Sequence, residues 1–338
     1  MAKRHIIPLF IPHAGCGHTC VFCNQRKITG ADTSVTPELV QCEIEAALRS
    51  AGGGCELAFY GGSFTAIAPE TQEALLQAVQ PYVRSGAVTA IRCSTRPDAI
   101  DPEVIDRLLR YHVTTVELGC QSMDPEVLRC SERGHTPEDT VRAAELLKKS
   151  GLQLILQMMT GLPGDDGSAS LETAGKMIAL QPDGVRIYPT VVLRDTRLLT
   201  MLQEGTYQAH SVEAAVPLCA ALYEKFLAAG IPVIRLGLNP TELLSGGEAV
   251  AGAYHPALGE LVLSEMFLAR AEKTLKRLDI KANASVRLLV HPSRISVMAG
   301  QKRGNLIRLR EKYALRSLRV AAGTQDLWEV DAEIMELK

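Results

Sequence analysis

Residues 11–30 read IPHAGCGHTCVFCNQRKITG. Cys16, Cys20 and Cys23 stand at C-x3-C-x2-C spacing, directly after an apolar run, Ile6–Ile11, that reads as a strand. Thiolates so spaced on one loop can converge on a single metal centre, and Gly15 and Gly17 let such a loop wrap tightly. Three cysteine ligands would leave one iron of a [4Fe–4S] cluster open, and an open position is what distinguishes catalytic metal sites from closed structural ones. Two other readings are open at this point. Zinc would need a fourth ligand, which His13 or His18 could supply, because no second C-x2-C pair exists. The three cysteines could also be ordinary buried thiols.

Outward from this loop, short apolar strands alternate with amphipathic helices. Candidate strands are 6–11, 55–60, 88–93, 114–118, 153–158 and 184–188. Helix starts repeat one pattern, an N-cap followed by proline at the first helical position, at Thr36–Pro37, Asp101–Pro102 and Thr136–Pro137, and Gly151 reads as a stop. Six strand–helix units in series imply a parallel sheet with right-handed crossovers, either open or a partial (β/α) barrel. A G-x-G-x-x-G after a strand, the mark of a doubly wound dinucleotide fold, is absent.

The stretch 238–256, LNPTELLSGGEAVAGAYHP, is rich in turn residues and reads as a connecting or active-site loop. His255 in it reads as a turn histidine or as a substrate-facing acid/base. Beyond lie a long helix over 256–277, β-like segments at 286–290 and 295–298, a helix near 305–313 and final strands. The expected division is 1–240 for an α/β barrel domain and 241–338 for a small α+β extension.

With 46% hydrophobic residues the chain can bury a large core, and no apolar run is long enough to span a bilayer. No stretch resembles a signal peptide, so a cytoplasmic location is expected. Nine cysteines in such a chain point to thiols or metal ligands rather than disulfides. Cys42, Cys55, Cys93, Cys120, Cys130 and Cys219 stand singly and read as small apolar core residues. Net charge is −2, but Lys281–Arg319 holds ten Lys/Arg and one acid, Glu311. That asymmetry reads either as a phosphate-tracking surface or as a solvated basic face. Tyr313 is its one aromatic, so a folded RNA contacted through phosphates fits better than base stacking.

The C-x3-C-x2-C motif, with the aromatic Phe22 before its last cysteine, resembles the signature of the radical S-adenosylmethionine (radical SAM) superfamily. That resemblance implies a partial (β/α)6 TIM-like barrel with its site at the C-terminal strand ends, a [4Fe–4S] cluster on Cys16, Cys20 and Cys23, and S-adenosylmethionine as second cofactor. It implies reductive cleavage of S-adenosylmethionine and hydrogen abstraction from a substrate, with a flavodoxin- or ferredoxin-like reducing partner. Gly61, Gly62 and Ser63, in FYGGSFT after the second strand, resemble the superfamily's glycine motif for the methionine amino group. ELGCQS (117–122), RGHT (133–136), GLPG (161–164) and IYPTVVLRDTRL (187–198) occur in the order seen in the radical domain of the Elongator catalytic subunit. More distantly they resemble the oxygen-independent coproporphyrinogen oxidase family. In CSTRPDAI, Ser94 stands where the Elongator-type motif has an acid.

Polar residues ending apolar strands need partners. Gln121 and Gln157 are therefore cofactor candidates, and Arg133 is a candidate for the methionine carboxylate. Arg186 and Tyr188 share one face of their strand, and periodicity alone leaves open whether that face is inward or outward. The Elongator-type acetyltransferase domain has no counterpart in the roughly 100 residues after the barrel, so acetyl-CoA-dependent chemistry is not expected to carry over. The leading reading is a radical SAM enzyme acting on RNA, a tRNA base above all. The alternatives are the same chemistry on a small molecule such as a tetrapyrrole, and an iron–sulfur or heme carrier without radical turnover.

Overall fold

The computed structural model describes residues 5–11, 13–17, 19–25, 28, 35–51 and 54–335. Two compact units emerge, one of residues 1–211 and 225–256, the other of residues 212–224 and 257–338.

The first unit is built on a seven-stranded, all-parallel sheet of sequential order: β1 (Ile6–Phe10), β2 (Cys55–Tyr60), β3 (Val88–Thr95), β4 (Val113–Gln121), β5 (Gln153–Thr160), β6 (Gly184–Pro189) and, at the far edge, β8 (Val233–Leu236). Helices Pro37–Ala51, Pro69–Arg84, Pro102–Arg110, Pro137–Lys149 and Ser168–Ala179 form the crossovers. Their starts follow from local chemistry. Thr36 Oγ1 accepts from Leu39 N at 3.3 Å, Asp101 accepts from Val104 N at 2.8 Å, and Thr136 and Asp139 form a reciprocal capping box. Each satisfies backbone N–H groups that have no partner within the helix.

The sheet is curled into a partial barrel. Arg186 on β6 donates to the Tyr60 hydroxyl on β2 at 3.0 Å, although three strands lie between them. In a flat sheet that span is four inter-strand steps, about 19 Å, far beyond side-chain reach. The outer face of the sheet is apolar: Leu57, Phe59, Ile91, Cys93, Val116, Leu118, Leu154, Leu156 and Ile187 are all fully buried. Burial on both faces is the usual condition of parallel strands.

The six expected strands are present. The seventh, β8, was not anticipated, because four residues reading VIRL carry neither length nor alternation. Another strand also escaped the sequence reading: β9 (Ala249–Gly252), inside the stretch read as a loop, pairs antiparallel with β7 (Val191–Leu193).

The second unit holds the long helix Leu258–Arg277 and a three-stranded sheet of order β11 (Ser317–Ala322), β10 (Ser285–Val290), β12 (Val330–Ile334). Its core includes Phe267, Leu275, Val286, Leu288, Met298 and Leu309. The segment expected to be β-like at 295–298 is helical, Ile295–Ala299, in a run of short turns that leads into the helix Gly304–Lys312. Its apolar residues make Met298 the core contact of a single helical turn, a pattern too short to tell helix from strand by period. Among the described residues no helix is long and apolar enough to cross a membrane.

Candidate functional site

The cysteine loop lies at the C-terminal end of β1 and is interlocked with the loop after β2. Ser63 N donates to Ala14 O at 2.8 Å. A Cβ on Gly62 would stand 2.4 Å from Ala14 O, and one on Gly15 would stand 2.2 Å from Ser63 O. Both contacts are shorter than any carbon–oxygen approach a side chain can make, so these two glycines are required by the contact between two backbones. Cys16 Sγ faces Ser63 Oγ at 3.9 Å, and Gln25 Nε2 faces Cys23 Sγ at 3.5 Å. Phe22 is partly buried against the cluster of Val192, Leu198 and Tyr207 and that of Val127, Leu162 and Ala169, which anchors the loop to the barrel.

Arg133, from the RGHT motif, reaches the same loop from the other side of the barrel. It is buried, and its guanidinium donates to Cys20 Sγ at 3.4 Å and to Gly119 O at 2.7 Å. Burial, then the neighbouring Cys20, pushes the Cys23 thiol up to about 12, and Cys16 adds to the shift. The Cys23 sulfur thus lies in a low-dielectric place where its two neighbouring cysteines oppose its ionisation. Bound irons would supply the missing positive charge. Among the described residues no group of three His, Cys, Asp or Glu stands so as to hold one metal ion. An iron–sulfur cluster makes a different demand, since each thiolate takes its own iron. His13 Nε2 accepts from Gln25 N at 3.1 Å within the loop, and His18 lies outside the described residues.

Two buried guanidinium groups near these sulfurs keep polar atoms without a protein partner, Arg133 Nε and Arg96 Nη1. Arg96, after β3, is held by a bidentate pair with Asp98 at 2.9 and 2.8 Å. Thr65 of GGSFT meets Thr95 at 2.6 Å, tying the ends of β2 and β3. Gln121 is buried in a left-handed conformation (φ 62°), and Gln157 Nε2 faces its Oε1 at 3.5 Å. Ser94 is half-buried on the inner face, in register with Glu117. The structure therefore brings Cys16, Cys20, Cys23, Ser63 and Arg133 to one mouth of the barrel, and Gln121 and Gln157 together on neighbouring strands.

Below that mouth the lumen holds a charged cluster. Glu117 is 2% exposed. It accepts from Arg92 at 2.9 Å, from Arg186 at 2.8 Å and from the Tyr60 hydroxyl at 3.1 Å. Arg92 also holds Glu56 at 2.7 Å. This settles the face of β6: Arg186 and Tyr188 point inward. Burial, then the Glu117 carboxylate, raises the Tyr60 hydroxyl above its ordinary range. The sequence reading missed Tyr60, Arg92, Arg96 and Glu117. Parity carried a signal for two of them, Arg92 and Glu117, because polar residues and glycine recur at spacing two as Arg92 and Ser94 on β3 and as Glu117 and Gly119 on β4.

Four of the singly placed cysteines, Cys55, Cys93, Cys120 and Cys219, are buried as expected; Cys42 is exposed and Cys130 half-buried, so these two are not core residues. Cys42 lies on the outer surface of a crossover helix, where a small side chain is not constrained by packing.

The Radical SAM superfamily model matches residues 10–175, and the Radical SAM C-terminal domain model matches residues 182–267. The chain belongs to the radical SAM superfamily. Among curated relatives of this radical SAM chain, the tRNA uridine(34) acetyltransferase of Methanocaldococcus jannaschii is 38% identical over 134 residues, which are 38% of this chain and 24% of that protein. Human Elongator complex protein 3 is 31% identical over 209 residues, 60% of this chain and 37% of that protein. The chain thus spans less than two fifths of the length of either. Among solved structures, the archaeal Methanocaldococcus infernus Elp3 with an N-terminal deletion superposes with a TM-score of 0.61 at 23% identity, covering 84% of this chain and 65% of that one. That likeness carries the partial-barrel fold.

Proposed function

We propose that this radical SAM chain holds a [4Fe–4S] cluster on Cys16, Cys20 and Cys23 and acts on an RNA base, in the first instance of tRNA. When bound, the cluster and S-adenosylmethionine would supply an electron and, through it, a 5′-deoxyadenosyl radical able to take a hydrogen atom from substrate. The protein's own residues bind, orient and shield. Cys16, Cys20 and Cys23 are the ligands, and the interlocked Gly15–Ser63 and Gly62–Ala14 contacts hold their loop. Phe22 packs that loop against the barrel. Gly61, Gly62 and Ser63 present backbone polar groups to the amino-acid end of S-adenosylmethionine. Arg133 and Arg96 offer unpartnered guanidinium N–H groups for its carboxylate. Ser94, Gln121 and Gln157 line the nucleoside side.

The observation that carries this reading is the convergence of Cys16, Cys20 and Cys23, of which Cys20 is buried and the other two half-buried, with two incompletely paired arginines at the C-terminal mouth of a parallel partial barrel. The RNA assignment is supported by the names of the relatives and by the basic segment of the second unit. Part of that segment is internally paired: Arg308 with Glu265 at 3.2 Å, Lys312 with Glu272 at 2.7 Å and Arg287 with Glu333 at 2.7 Å. Lys302, Arg303, Arg310, Arg316 and Arg319 are exposed and have no carboxylate partner among the described residues, so their charge is available to phosphates.

The test is anaerobic reconstitution with iron and sulfide, followed by dithionite and S-adenosylmethionine, with 5′-deoxyadenosine measured with and without bulk tRNA. Product that rises with tRNA supports both halves of the proposal. Product indifferent to tRNA keeps the radical chemistry and returns the substrate to the small-molecule class. An intact cluster without product in either sample would favour a carrier.

A further inference from the structure

We infer that Arg235 is the docking point, inside the barrel mouth, for a phosphate group of the nucleotide whose base is to be modified. This rests on the RNA reading above and adds to it a specific residue and a specific chemical group.

The lumen face carries three arginines, Arg92, Arg186 and, by register, Arg235, and the cluster around Glu117 pairs the first two with Glu56 and Glu117. Arg92 spends all three guanidinium nitrogens on Glu56 and Glu117, at 2.6–2.9 Å. Arg186 is likewise taken up: its Nη1 and Nη2 donate to Tyr188, Tyr60 and Glu117 at 2.8–3.3 Å, and its Nε lies 2.7 Å from the Glu117 carboxylate. Arg235 is different. Its Nε donates to Gly237 O at 3.0 Å, and no carboxylate pairs with it among the described residues. It is half-buried, so the charge is neither freely solvated nor neutralised. A cation left in that condition costs free energy unless an anion completes it.

Its position gives the anion an address. Gly119, Gln157, Arg186 and Arg235 form one continuous row across β4, β5, β6 and β8, and residues in register on neighbouring strands share a face. Arg235 is therefore on the lumen side, at the far end of a row that begins where Arg133 grips Gly119 O. Three inter-strand steps separate the ends, about 14 Å along the curled sheet. The bond to Gly237 O, two residues onward, turns the guanidinium toward the C-terminal end of β8, the end at which the cysteine loop sits. Gly237 is itself pinned by its N–H to Ile187 O at 2.9 Å. The remaining donors of Arg235 thus form a fixed planar fork at the mouth, a shape matched to two oxygens of a phosphate.

The test titrates bulk tRNA onto the reconstituted wild type, Arg235→Gln and Arg235→Lys at several salt concentrations, with iron content checked in each. Arg235→Gln should raise Kd about tenfold and lower the slope of log Kd against log salt by about one phosphate contact. Arg235→Lys should keep the slope and lose less affinity. In a second arm, mixed nucleoside 5′-monophosphates should compete with tRNA on the wild type and lose that advantage over the free nucleosides in Arg235→Gln. Competition by inorganic phosphate equal to that of the monophosphates would reduce the site to a plain anion hole and overturn the nucleotide assignment. Equal Kd and slope in wild type and Arg235→Gln would overturn the role of Arg235 and leave the RNA reading standing. No tRNA binding by the wild type would overturn both.

Discussion

Arg186 of β6 and Tyr60 of β2 meet at 3.0 Å, with the guanidinium 5.4 Å from the centre of the tyrosine ring. Because Glu117 of β4 bonds both, three strands that are not neighbours are closed on one buried carboxylate. The partial barrel is thereby tied across its lumen as well as along its strands.

Removing that carboxylate leaves two arginines facing each other in a space with little water. Glu117→Ala is expected to destabilise the fold by about 3–5 kcal/mol, the usual cost of breaking a buried ion pair from one side. Tyr60→Phe, which removes one hydroxyl from the same network, should cost about 1 kcal/mol. Urea unfolding of the two variants checks both the values and their order; equal losses would mean the network is not centred on Glu117.

The cysteines separate by role. Cys16→Ala, Cys20→Ala and Cys23→Ala should each abolish the brown cluster and the cleavage of S-adenosylmethionine. Cys55→Ala, altered in the apolar core at a fully buried position, should keep both. Iron and sulfide analysis of the four reconstituted variants decides it, and a colourless Cys55→Ala protein would overturn the ligand assignment.

Gly62→Ala tests the interlock of the two loops. Its methyl group would lie 2.4 Å from Ala14 O, so one loop must move. Cluster content after reconstitution should fall several-fold, with the melting temperature changed little because the contact lies outside the core. Gly17→Ala, where a Cβ meets nothing within 4 Å, is the matched control and should retain the cluster.

His135 predicts an acid-side stability loss. It is buried, with Nε2 3.2 Å from Cys120 O, so Nε2 carries the proton and donates. Burial, then the Arg133 cation, pulls its pKa down to about 3, against about 6.5 in the unfolded chain. Below pH about 6.5 the unfolded state therefore binds a proton that the folded state refuses. Stability is full above that pH and falls by up to about 1.4 kcal/mol per pH unit as the pH drops toward 3. His135→Gln, which retains a donor for Cys120 O, should remove this contribution, seen as a shallower pH dependence of the unfolding midpoint.

The basic segment makes a separate forecast. Reversing Arg303, Arg310 and Arg316 to Glu should weaken tRNA binding by a factor of a hundred or more and flatten its salt dependence. Arg308→Glu should do less, because Arg308 is already paired with Glu265. Unchanged tRNA stimulation in the triple variant would remove this surface from the RNA reading.

Sequence alone determined the cysteine motif, the six strand–helix units and most helix starts, because each is written in a few adjacent residues: C-x3-C-x2-C, apolar runs of fixed length, and an N-cap followed by proline. It also carried the ordered set of later motifs that placed the chain near Elongator-type radical domains. Only the tertiary structure decided which strand face is the lumen. The polar parity of Arg186 and Tyr188 fits either side of a sheet until the curl brings Glu117 and Tyr60 within bonding distance. The short strands β7, β8 and β9 were likewise a tertiary outcome, since three or four residues have no period of their own and take their extended form from the partner strand. The same holds for Gly62 and for Arg235. One has no room for a side chain because a distant backbone, that of Ala14, lies against it. The other carries an unmatched charge because Glu56 and Glu117, the carboxylates paired with arginine on its side of the sheet among the described residues, are held by Arg92 and Arg186.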